Sequence, residues 1–212
     1  MKKTLTIVMA MVLVAAVAIT GTLAYMSAQA APVTNTFKFG NMEITLDESK
    51  VDENGQIITG EGAQRVVKNE YKVTPGATVA KNPTVHVVKG SEKCYVYVSV
   101  QNNMLIDGKE VASYTPNAGW TKIGENTAEH TVVYKYNNVV DASSGTKDLT
   151  PVFSQVTFDG NDITLDNVGQ LNDKTIVINA YAHQSENIGA DTSVADNAAL
   201  NHFNATAITV IG

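Results

Sequence analysis

"CYVYVSV", residues 94–100, decides the fold class. Cys94, Val96, Val98 and Val100 share one side, and Tyr95, Tyr97 and Ser99 the other. β-Branched and aromatic residues at a spacing of two predict a half-buried strand. "TIVINAYAH" at 175–183 repeats the pattern, with Ile176, Ile178, Ala180 and Ala182 on one side. "TVVYKYNNVV" from Thr131 and "PVFSQVTF" from Pro151 behave alike, and "NPTVHVV" from Asn82 and "DITLD" from Asp162 are shorter versions.

Turn signals separate these runs: "TPGA" at 74–77, "KGSE" at 89–92, "IDGKE" at 106–110, "SSGTKD" at 143–148 and "FDGND" at 158–162. Gly or Pro in each supplies the dihedrals a tight turn needs. Many short strands between such turns predict an all-β fold, a jelly-roll-like β-sandwich. Amphipathic helices do not alternate with the strands, which disfavours a parallel α/β sheet. One short helix is expected near the C-terminus in "DTSVADNAALNHF" (191–203). Its N-cap candidates run from Asp191 to Ser193, and Val194, Ala198 and Phe203 form a stripe with Leu200 beside it. The tail 204–212 reads equally as a last strand or a loose end. "DENGQIITGEG" at 52–62 is the most loop-like stretch.

The chain opens on "MKK", an apolar run, and small residues in "GTLA" and "AQA". That is the anatomy of an export signal. The apolar stretch from Leu5 to Tyr25 is just long enough to span a bilayer if it stays uncut. Two cuts compete: between Ala24 and Tyr25, or after Ala30. The first lies nearer the end of the apolar core and is favoured. A signal peptide is therefore expected over 1–24, an N-terminal strand segment over 25–46, and a β-sandwich domain over 34–212. The expected localisation is secreted, in the extracellular matrix or at the cell surface, with membrane contact only through an uncleaved leader.

Net charge is −6, and the leader's only charges are Lys2 and Lys3, so the remainder is more acidic still. Without a Lys/Arg cluster such a surface repels phosphate backbones, which excludes nucleic acid as the expected partner. The single cysteine, Cys94, has no partner for an internal disulfide and reads as a small buried residue.

Catalytic signatures do not assemble. His86, His130, His183 and His202 form no H-E-x-x-H and no i, i+4 pair; His86 and His183 both lie in expected strands, and a shared metal site is the weaker reading. There is no G-x-S-x-G, P-loop or G-x-G-x-x-G. "DGNDITLDN" carries Asp159, Asn161, Asp162 and Asp166, but its Gly is misplaced for a calcium loop, so a hairpin turn is the default. No catalytic residue, metal or cofactor is expected. Trp120 either anchors a loop on the core or stands exposed as a contact aromatic.

In "TFKFGNMEITLD", Phe37 and Phe39 share one face while Met42, Ile44 and Leu46 share a face in the opposite register, the shift falling at Gly40 and Asn41. Either this is an ordinary first strand with a glycine bulge, or part of 25–39 stays unpaired until it meets a neighbour's sheet edge.

The stretch "GTLAYMSAQAAPVTNTFKFGNMEITLDE" resembles the start of exported Gram-positive proteins processed by a SipW-type signal peptidase. Gly21, Thr22 and Ala24 match the end of the leader. Thr34, Phe37, Gly40, Met42, Ile44 and Leu46 match the first strand. "YKVTPGATVAKNPTVHVVKGSEKCYVYVSV" is similar to the same group through Pro75, Gly76, Lys81, Gly90 and Ser91, and "INAYAHQSENI" resembles the end of its domain. The group is the TasA/camelysin family, and the likeness covers roughly residues 18–203. It implies a jelly-roll domain, export, and, as in the fibre-forming members, a head-to-tail homopolymer in biofilm matrix held by donor-strand exchange. The strand-addition segment it points to comprises Thr34, Phe37, Phe39, Gly40, Met42, Ile44 and Leu46. This chain is shorter and less lysine-rich than those members. The alternatives are a monomeric surface binding or adhesion module and a camelysin-like metallopeptidase, though no zinc motif matches the latter.

Overall fold

A computed structural model describes residues 41–186 and 192–208, all within the unit Gly40–Gly212. The described chain is β-rich with one α-helix. In order it forms β1 (Ile44–Ser49), β2 (Arg65–Val66), β3 (Thr78–Ala80), β4 (Thr84–Val87) and β5 (Cys94–Asn102). The short β6 (Leu105–Ile106), β7 (Lys109–Glu110) and β8 (Ala112–Ser113) follow, then β9 (Trp120–Asn126) and β10 (Thr131–Tyr136). The chain continues through β11 (Lys147–Asp148), β12 (Gln155–Phe158), β13 (Ile176–Gln184), α1 (Ser193–His202) and β14 (Thr206–Ala207).

Sheet order is β13-β5-β10-β9-β14 in the largest sheet and β11-β4-β1-β2 in the second. A third runs β3-β12-β8, and β6 and β7 make a hairpin. Every pairing is antiparallel, as short turns dictate. The β6–β7 turn carries Asp107 and Gly108, both at positive φ, the requirement of a type I′ hairpin.

One apolar cluster joins three of the sheets: Val96, Val98 and Val100 from β5, Val85 and Val87 from β4, Val79 and Val156 from β3 and β12. A smaller cluster lies on the other face of the largest sheet, where Tyr97 packs against Ala195 and Ala199 of α1. Tyr97 Oη donates to Asp196 at 2.7 Å. β5 is therefore buried on both faces around Tyr97, where alternation alone predicts a half-buried strand.

Several expectations are corrected. The helix buries Ala195, Ala199 and Leu200, while Val194 is 50% exposed; small residues let α1 lie close on the tyrosines, so the stripe is set by contact distance and not by bulk. "DITLD" is no strand, because Asp159 accepts the backbone N–H groups of Asn161 and Asp162 and holds the chain in a turn. β9 was not legible, as its sequence WTKIGEN carries few apolar residues and its ladder to β10 shifts register. Trp120, at the start of β9, is buried and donates from Nε1 to the Thr150 carbonyl at 2.8 Å. In the tail, Thr206 and Ala207 pair with β9.

Candidate functional site: an open seam between two strand edges

Among the described residues β13, nine residues long, is an edge strand. Its register is fixed at both ends, where Ser185 N–H donates to the Lys93 carbonyl and Asn103 N–H to that of Thr175. In an antiparallel ladder, bonded and non-bonded pairs alternate. Val177, Asn179, Tyr181 and His183 thus direct their backbone groups to β5, and Ile176, Ile178, Ala180 and Ala182 direct theirs away from it.

The same argument applies to β1. Val88 N–H donates to the Glu43 carbonyl, so Thr45 and Asp47 bond to β4 while Ile44 and Leu46 turn their backbone groups outward. β2 covers this edge only at Glu48 and Ser49. The outward N–H and C=O groups of Ile44, Leu46, Ile178 and Ala180 make no hydrogen bond among the described residues.

These two edges meet. A groove of about 510 Å³ is lined by Ile44 and Leu46 together with Ile178 and Ala180. A larger one, about 1220 Å³, begins at Leu46 and Glu48 with Ile176 and Ile178, and reaches the apolar side chains of Met104, Phe158 and Ile163. This order of lining residues sets β1 and β13 antiparallel to each other. Their Cα atoms come within 8 Å, yet no ladder joins the strands. Among the described residues the result is a seam of donors and acceptors without partners, with apolar surface beneath its larger groove. Such an edge is a template for another strand. The far end is fixed by Glu48, which takes Lys81 Nζ at 2.8 Å and Asn69 Nδ2 at 3.0 Å.

Of the residues expected to carry strand addition, Ile44 and Leu46 lie in β1, half-buried against the core, and Met42 is 39% exposed. Both β1 residues are laddered to β4 of this chain. Ala24, Tyr25, Ala30, Thr34, Phe37, Phe39 and Gly40 lie outside the described residues. Sequence reasoning did not find the β13 edge; its alternation shows the two faces of the strand but not which edge goes unpaired.

Several of the candidate chemical groups have partners within the fold. Both ring nitrogens of His86 meet carboxylates, Asp148 at 2.7 Å and Asp47 at 2.9 Å. His183 Nδ1 meets the Gln184 carbonyl and His130 Nδ1 meets Glu110. Asp162 pairs with Lys109. Among the described residues no group of three or more His, Cys, Asp or Glu is placed to hold a metal ion, and no helix is long and apolar enough to cross a membrane. No family model, curated protein or solved structure matches the chain.

Proposed function

We infer that this is an exported, non-enzymatic surface or matrix component of TasA/camelysin type, with a jelly-roll β-sandwich domain. It associates with copies of itself by strand addition, after a SipW-type peptidase removes the leader near Ala24. The observation that carries this reading is the seam, where the edges of β1 and β13 that have no strand partner among the described residues line the same grooves. The donor is the segment 25–39 of a neighbouring copy, with Phe37 and Phe39 supplying apolar side chains at alternate positions. A strand seated between two others needs about 9.6 Å between its neighbours, twice the normal spacing, so the edges part as it inserts. The gain is main-chain hydrogen bonds on both sides and aromatic burial over the larger groove. Donor and acceptor are different surfaces, so the contact does not close on itself and propagates a filament.

A peptide of residues 25–39 added to protein beginning at Gly40 tests the pairing. Saturable binding in titration calorimetry is expected. A protein that ignores the peptide at millimolar concentration removes the reading.

A further inference from the structure

His86 lies in β4, and its ring spans to the strands on both sides. Nδ1 lies 2.7 Å from Asp148 Oδ1 of β11, and Nε2 lies 2.9 Å from Asp47 Oδ1 of β1. Asp47 Oδ1 also accepts from Arg65 Nε of β2 at 2.6 Å. One line of side chains, Asp148–His86–Asp47–Arg65, therefore crosses every strand of the sheet in the order β11-β4-β1-β2. The charged groups facing the ring are Asp148 and Asp47; Arg65 reaches it through Asp47.

Carboxylates only accept, so both contacts are hydrogen bonds only when both ring nitrogens carry a proton. A neutral imidazole has one N–H, and one carboxylate then faces a lone pair. We propose that His86 is a pH-sensitive clasp: protonated, it ties β11 and β1 to β4 from both sides, and neutral, it releases Asp148. Asp148 is the one released because its side chain is 72% exposed and hydrates freely, whereas Asp47 is 25% exposed and stays fixed by Arg65.

The electrostatics agree in sign. Burial disfavours the charged ring, but the hydrogen bonds and charges of Asp148 and Asp47 outweigh it and raise the His86 pKa. A folded-state value above the unfolded one means that the clasp's stabilisation is complete below the unfolded value. It is lost as pH rises through the folded value. The clasp matters because β1 is the strand whose opposite edge opens on the seam. It stands on its own geometry whether or not a strand enters there.

Ring NMR titration of His86 in the wild-type protein and in Asp148→Asn tests the clasp, with melting temperatures measured across the same pH range for both and for His86→Gln. The expected results are a wild-type His86 midpoint above the ordinary imidazole value and a lower midpoint in Asp148→Asn. Wild type loses melting temperature as pH passes that midpoint, and His86→Gln loses less. A wild-type midpoint at or below the ordinary value overturns the clasp, as does an unchanged midpoint in Asp148→Asn. If His86→Gln does not fold, the two midpoints decide the matter alone.

Discussion

Leu46 of β1 and Ile178 of β13 line both grooves of the seam at once, each with its backbone amide turned away from the ladder that holds its strand. That relationship separates positions on one strand that sequence alone treats as equivalent.

Ala180 and Asn179 are neighbours on β13 with opposite amide directions. The Ala180 N–H points into the seam, and the Asn179 N–H bonds to Ser99 of β5. Proline removes a donor and is tolerated where that donor is unused. Ala180→Pro should unfold in urea close to wild type, and Asn179→Pro, which removes a ladder hydrogen bond, should lose about 1–3 kcal/mol. Equal losses for the two would mean that the register argument fails.

Lys81 and Glu48 form an ion pair whose side chains are 12% and 7% exposed. Removing one member strands the other charge. Lys81→Met should cost about 3 kcal/mol in chemical denaturation. The double change with Glu48→Leu should recover most of it, since an apolar pair needs no compensating charge.

Gly124 of β9 faces α1 and β14. A Cβ there would meet Leu200 and would lie 2.7 Å from the Thr206 carbonyl oxygen. Gly124→Ala should lower stability by about 1–3 kcal/mol through overpacking. The loss should be accompanied by faster hydrogen exchange in α1.

Cys94 is fully buried at the start of β5, and burial pushes its thiol up to about 11. The thiolate is the reactive form. Iodoacetamide at neutral pH should label Cys94 only after unfolding; rapid labelling of the native protein would show that this end of β5 opens.

The strands that were legible are those with β-branched alternation: β5, β10 and β13 follow "CYVYVSV", "TVVYKY" and "TIVINAYAH". The C-terminal helix was legible too, but its buried face was not. That face depends on how near Ala195 and Ala199 come to Tyr97, which is a tertiary distance. β9 escaped because Gly124 replaces the side chain that alternation would need. Of the site, Ile44 and Leu46 were marked by their own pattern, whereas their edge, unpaired among the described residues, depends on β2 covering only Glu48 and Ser49. The His86 clasp joins residues from strands far apart in sequence, and no local spacing reports it.

Filament formation tests strand addition most directly. Protein beginning at Tyr25, concentrated and viewed by negative-stain electron microscopy, is expected to form filaments, and Ala180→Pro in the same protein is expected to stay monomeric while folded. Wild-type protein that remains monomeric at every concentration, or folded Ala180→Pro that polymerises as wild type does, would contradict the account.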